Sequence, residues 1–221
     1  MKSLIAFISI FIIAVTIGYF MLLPDQRTLP IYQPGDINPR LVDPSLQMQQ
    51  IDHRVGDFKL INQLGDTISQ LDLEGQTYIA DFFFTRCPTI CPVMSTNLES
   101  VQESFKSNKD FKILSHSVTP EADSVSVLMD YAELHNANHK QWWFLTGPKT
   151  EIYRLARKSY FSVLDEGDGG MQDFIHTENF VLVDREKRLR GYYDGTKEKE
   201  VERLIEDVKI LFDEYKSTAK N

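Results

Sequence analysis

TYIADFFFTRCPTICP, residues 77–92, joins an almost wholly apolar run to a loop that carries both cysteines of the chain. Thr77 to Phe84 has the composition of a central strand covered on both faces. Asp81 interrupts it, and a carboxylate buried there needs a partner or a raised pKa. Pro92 suits the first helical position and disfavours the α region for the residue before it. A helix is therefore expected from Pro92, with Cys91 near its N-cap and Cys87 on the loop just ahead. Backbone N–H groups at a helix start carry partial positive charge, which favours thiolate over thiol.

Working outward, Val93, Met94, Leu98, Val101 and Phe105 recur at three- and four-residue spacing and extend that helix to about Phe105. Phe111–Val118 reads as a second strand, Ser124–Leu134 as a helix, Trp142–Leu145 as a short strand and Glu151–Lys158 as helical. Residues 58–62 and 67–69 flank Leu64-Gly65-Asp66 as a hairpin. Phe180–Val183 and Leu189–Tyr193 form another around Glu186 and Lys187. An amphipathic helix from Thr196 to about Lys216 closes the domain, with Val201, Leu204, Ile205, Val208, Leu211 and Phe212 on one face. This order, with thiols between the first central strand and the first long helix, is that of a thioredoxin-like α/β domain with a central mixed sheet flanked by helices.

The rest of the chain divides in three. Leu4–Leu23 is an uncharged run of twenty residues; at about 1.5 Å per residue such a helix spans roughly 30 Å, the thickness of a bilayer core. It is longer than a signal-peptide h-region and lacks an A-x-A-like site before Pro24, so residues 1–23 read as an uncleaved transmembrane anchor. Lys2 on the short side orients the chain with its C-terminal domain outside the cytoplasm, as a single-pass protein of a bacterial cytoplasmic membrane. Residues 24–50 hold five of the nine prolines and read as a linker, and 51–221 as one domain. A net charge of −8 and a pI near 5.2 argue against nucleic acid as partner.

The thiols are spaced Cys-x-x-x-Cys, one residue wider than the common disulfide-exchange motif, with proline after each. Two thiolates on one tight loop are soft donors and suit Cu(I), whereas zinc usually demands four ligands. A third, imidazole ligand would let the site hold Cu(II) as well. His176, 85 residues after Cys91 and just before the strand Phe180–Val183, is the candidate. In a thioredoxin-like topology the loop entering that strand faces the thiol turn. Spacing alone leaves His176 open between a ligand and an ordinary solvated or core residue.

Thr85-Arg86-Cys87-Pro88-Thr89-Ile90-Cys91-Pro92 with a histidine some 85–90 residues further on resembles the Sco/SenC family, membrane-anchored thioredoxin-like copper proteins that help assemble cytochrome c oxidase. The likeness covers roughly residues 51–215 and the anchor-and-linker layout. It implies Cys87 and Cys91 as copper thiolates and as a redox disulfide pair, and His176 as third ligand. It implies copper, Cu(I) or Cu(II), as the bound metal. It also implies the copper-bearing oxidase subunit as recipient, a thiol-reducing protein as partner, and a metallochaperone rather than an enzyme. Two departures stand out. Members often carry Val-Asp-Pro-x-Arg-Asp where this chain has Val118-Thr119-Pro120-Glu121-Ala122-Asp123, which puts in doubt any carboxylate near the site. Arg86 replaces a frequent histidine, and its charge is expected to lower the cysteine pKa.

The serious rival is a thiol–disulfide oxidoreductase that reduces the cysteines of the oxidase copper site or of another exported protein. A static disulfide would close too small a loop to stabilise much, and the segment fits the peroxiredoxin pattern poorly, with Thr85 two rather than three residues before the cysteine. His135 and His139 read as a helix end rather than a metal pair. His116 reads as structural and His53 as solvated at the domain entrance. One of Trp142 and Trp143 is expected to pack inward and the other to face out. Asp165–Gly170 lacks the calcium-loop ligand pattern and reads as a turn.

Overall fold

The structure, a computed structural model, describes residues 8, 10–18, 27–44, 46, 47, 52–164, 170 and 172–218. Its strands are β1 (Lys59–Asn62), β2 (Thr67–Ser69), β3 (Thr77–Phe83), β4 (Phe111–Ser117), β5 (Trp142–Thr146), β6 (Asn179–Val183) and β7 (Leu189–Asp194). They form one mixed sheet in the order β2-β1-β5-β4-β3-β6-β7. The helices are α1 (Ile90–Ser104), α2 (Val125–Leu134), α3 (Lys149–Arg154), which runs on into a π-helical turn at Leu155–Ser159, and α4 (Glu198–Thr218).

β3 lies parallel to β4, and β4 to β5, while β1, β2, β6 and β7 add antiparallel edges. A parallel pair needs a crossover, here a helix each time, and so its strands end at the same edge of the sheet. Phe83 is in register with Ser117, and the Val118 N–H reaches Phe83 O at 2.8 Å. The turns after β3 and β4 therefore lie side by side. Every residue of β3 is buried, as its unbroken apolar run requires. Alternate β3 residues feed two cores: Tyr78, Ala80 and Phe82 pack on one face, and Ile79 and Phe83 on the other, with Cys87, Cys91 and Leu98 of the thiol loop and α1. Trp142 is inside as expected, whereas Trp143, expected to face out, is half-buried and packs against the opposite core.

Three readings are corrected. Helix α1 begins at Ile90, two residues before Pro92, with Thr89 as N-cap. The first four helical N–H groups lack intrahelical acceptors, so proline is tolerated at the third position as well as the first, and the Cys91 N–H takes the Cys87 sulfur instead. His53 is buried: its Nε2 lies 2.8 Å from Ser159 O and its ring packs on Phe161 at 4.6 Å. The linker, over its described residues, lies on the domain rather than apart from it. Tyr32 bridges to Leu189, Ile37 and Val42 enter the core, and Arg190 donates to Leu29 O and Pro30 O. Of the expected anchor only residues 8 and 10–18 are described, as helix; among the described residues no helix is long and apolar enough to cross a membrane. Residues 165–169 lie outside the described residues.

Asp81, 2% exposed, has found the partner its position demanded. Ser115 Oγ donates to its Oδ1 at 2.6 Å, and Ser115 Oγ in turn accepts the Trp142 indole N–H at 2.9 Å. Burial outweighs that hydrogen bond and pushes the Asp81 pKa up to about 7. The folded chain therefore holds a proton that the unfolded chain has lost above about pH 4. Stability should fall as pH rises from there to about 7, by up to about 4 kcal/mol from this group. Urea unfolding across that range should show the slope, and Asp81→Asn should flatten it.

Candidate metal and thiol site

The thiol loop starts from a fixed strand end. After Phe83 the chain turns through Phe84, Thr85 and Arg86, with the Cys87 N–H bonded to Phe84 O at 3.2 Å. What holds this turn is Asp123, fully buried beside it. Its carboxylate accepts from Thr85 Oγ1 at 2.6 Å, Thr85 N at 3.3 Å, Ser117 Oγ at 2.5 Å and Thr119 Oγ1 at 3.0 Å. Thr119 serves as a donor to the carboxylate four residues later. Sequence reasoning recorded the loss at Thr119 and missed the role of Asp123; a Thr–Ser–Thr set of donors around one Asp was the available signal.

Cys87 and Cys91 are unpaired thiols, 5% and 2% exposed. The Cys91 N–H points at Cys87 Sγ at 3.5 Å, and the Thr89 hydroxyl lies 3.7 Å from the same sulfur. For Cys87, burial pushes the pKa up, but the backbone N–H groups of Cys91 and Thr89, with their side chains, more than offset it and bring the thiol to about 7. Arg86 is exposed, and the depression comes from these hydrogen bonds rather than from its charge. Cys91 goes the other way. Burial, then the Cys87 sulfur and the Asp81 charge, push it up to about 12 against a relieving Phe84 backbone hydrogen bond. One sulfur reaches the thiolate within the neutral range and the other holds its proton.

His176 is exposed on the stretch that leads into β6. Burial alternates there: Ile175 and Thr177 point in, and Phe174, His176 and Glu178 point out. Thr177 Oγ1 pins this stretch to Ser162 O at 2.9 Å. The exposed Phe174 ring meets Phe84 edge-on, centroids 5.4 Å apart, so the arm bearing His176 touches the thiol loop. Among the described residues, however, no three of His, Cys, Asp and Glu are gathered as a metal-holding group. The structure brings Cys87 and Cys91 together and leaves His176 outside that pair. His135 pairs with Glu99 at 2.7 Å and His139 Nδ1 lies 3.2 Å from Gln63 Nε2, while His116 is fully buried against Phe82.

A mixed sheet with two crossover helices and a vicinal thiol pair at the start of the first defines a thioredoxin-like domain built for thiol or soft-metal chemistry. The chain belongs to the SCO1/SenC family, whose model matches residues 46–213. It is 34% identical to a SCO1 protein homolog of Bacillus subtilis over 161 residues, 72% of this chain and 83% of that one. The solved structure of BsSco, described as containing a disulfide switch and as a member of the Sco family of cytochrome c oxidase assembly proteins, is 34% identical. It superposes with a TM-score of 0.61 over 73% of this chain and 96% of its own. The copper-bound structure of ScoI from Arabidopsis thaliana, 24% identical, shares the fold with a TM-score of 0.54 over 70% of this chain and 97% of its own.

Two outcomes follow from the geometry. Iodoacetamide should modify Cys87 selectively, its rate rising with pH through about 7 and then levelling, with Cys91 untouched; peptide mass mapping reads both. Asp123→Ala strands the donors of Thr85, Ser117 and Thr119, and should cost about 2–4 kcal/mol of stability by urea unfolding.

Proposed function

We propose that the chain is a membrane-tethered copper chaperone. It takes up one copper ion on Cys87 and Cys91, with His176 as third ligand, and passes it by stepwise ligand exchange to the copper-bearing subunit of cytochrome c oxidase. The observation that supports this best is the donor set: two adjacent free sulfurs at a helix start, and an imidazole on an arm that touches their loop. Two thiolates satisfy Cu(I), whose coordination number is low, so the ion needs no third ligand from this chain until it is oxidised. Cu(II) favours imidazole, and its capture would draw His176 toward the sulfurs. Family membership and the copper held by the Arabidopsis relative support the same metal. The uncharged run Leu4–Leu23 serves as the tether in this reading, with the domain on the extracytoplasmic side. Uptake requires both thiols reduced, and hence a thiol-reducing partner in an oxidising compartment.

A second reading rests on the thiol asymmetry. A sulfur near pKa 7 beside one near 12 is the pattern of an attacking and a resolving cysteine, which suits a thiol–disulfide oxidoreductase acting on the oxidase copper site. The disulfide switch described for BsSco favours it too. The two readings differ at the histidine, since exchange needs no imidazole.

Copper titration of the purified chain should give one ion per chain and a sulfur-to-Cu(II) charge-transfer band. Cys87→Ala or Cys91→Ala should abolish binding of both oxidation states. His176→Ala should weaken Cu(II) by more than about a hundredfold, beyond the loss typical of changes outside the ligand shell, and Cu(I) far less. A variant that lost disulfide exchange and kept Cu(II) would reverse the assignment.

A further inference from the structure

The arm that carries His176 is held from behind by one short helix. Arg157, in the π-helical turn, places its guanidinium fork on the Asp173 carboxylate, Nη1 to Oδ2 at 2.6 Å and Nη2 to Oδ1 at 2.7 Å. Its Nε donates to Leu164 O at 3.2 Å. Lys149 Nζ, two turns earlier, donates to Asp173 O at 2.7 Å. The Tyr153 hydroxyl lies 3.3 Å from Asp173 O, accepts the Ile175 N–H, and donates to Val118 O at 3.0 Å.

That last bond gives the set a direction. Val118 follows β4 directly, between Ser117 and Thr119, two of the three residues whose hydroxyls bind Asp123. The thiol loop is thus referenced to the end of β4 through Asp123, and the histidine arm to the same point through Tyr153. The Arg157–Asp173 pair is 7% and 9% exposed. Buried ion pairs contribute little net stability over an apolar pair of similar size, because desolvating both charges is costly. A bidentate fork does fix orientation, which an apolar contact does not. The π turn is a further sign, since such turns concentrate at functional sites. It carries the Tyr160 N–H to Leu155 O at 2.9 Å, holds Arg157 within it and follows Tyr153 directly after α3.

We propose that Tyr153 and Arg157 are positioning residues for metal capture: they hold Asp173 and Ile175 so that His176 is presented to the thiol loop at the end of β4. This rests on the copper reading above. They touch neither metal nor sulfur; their contribution is to spare the imidazole the cost of ordering when Cu(II) arrives. Cu(I), held by the two sulfurs, is indifferent to them.

The test uses the full chain with Tyr153→Phe, which removes one hydroxyl and no charge, alongside Arg157→Lys and His176→Ala. Cu(II) affinity, its charge-transfer spectrum, Cu(I) affinity and the thermal midpoint are measured for each. Tyr153→Phe should weaken Cu(II) by about tenfold or more, as outer-shell changes do, and leave Cu(I) unchanged. In a His176→Ala background it should have no further effect on Cu(II), a result that general loosening of the fold would not produce. A folded Tyr153→Phe chain with unaltered Cu(II) affinity and spectrum would overturn the proposal, as would an equal loss with and without His176. If Tyr153→Phe does not fold, Arg157→Lys, which keeps the charge and loses the fork, is judged by the same comparison. Should His176→Ala alone leave Cu(II) binding intact, the ligand assignment fails and the positioning role with it, a pattern distinct from failure of the positioning role alone.

Discussion

A single carboxylate with no exposed surface organises the end of the sheet that carries the two thiols. Asp123 could not remain buried there unaided, since an unpaired carboxylate in an apolar interior costs several kcal/mol. Three hydroxyls and one N–H, from the turn after β3 and the end of β4, supply what water would have supplied. The exchange runs both ways: the carboxylate stays buried because the turns converge on it, and the turns converge because it is there. Everything downstream in the site inherits that placement. Thr85 lies two residues before Cys87, so the first sulfur has little freedom once Thr85 is bound.

The second constraint is the helix start. Both cysteines sit within one turn of the same N-terminus, yet their environments pull their protons apart. Cys87 lies outside the helix and collects N–H groups from Thr89 and Cys91, whereas Cys91 lies inside the first turn, buried in the core with Ile79 and Phe83. Difference in burial and donor supply, at nearly constant position, is enough to separate the two thiols by several pKa units. An added lysine or arginine is not required, which is why Arg86 can stay in solvent without consequence for the thiolate.

Element order was legible in the sequence because hydrophobic period and strand composition act locally. The seven-residue β3 and the stripe on α4 declare themselves without tertiary information. The vicinal thiols were equally plain. The start of α1 was read two residues late because proline was given one favoured position, when the orphan N–H groups of a helix allow several. His53 was read as solvated because nothing near it in sequence shows that Phe161 and the Ser159 carbonyl await it. Asp123, Tyr153, Arg157 and Asp173 were silent for the same reason. Asp123 in part, and Tyr153, Arg157 and Asp173 in the contacts that matter here, act through partners 16 to 38 residues away, and a lone Asp, Arg or Tyr has the same appearance in sequence whether it is buried in a clamp or free in water.

The thiol asymmetry also bears on how a copper ion would be held and let go. A thiolate ligated by a cation no longer carries the burial penalty that its bare anion pays, because the metal supplies the compensating charge. Binding at Cys91 would therefore expel a proton that the metal-free site retains firmly, and binding at Cys87 would expel less at neutral pH. The high proton affinity of Cys91 subtracts from the net affinity for copper, and it returns as driving force when an acceptor takes the ion and the buried sulfur recovers its proton. Cys87, the more acidic of the two, would be the readier to offer the first bond on arrival. In the copper reading, a site with two equally acidic sulfurs would face less competition from protons, so the burial of Cys91 in the first turn of α1 would favour giving the ion up over keeping it.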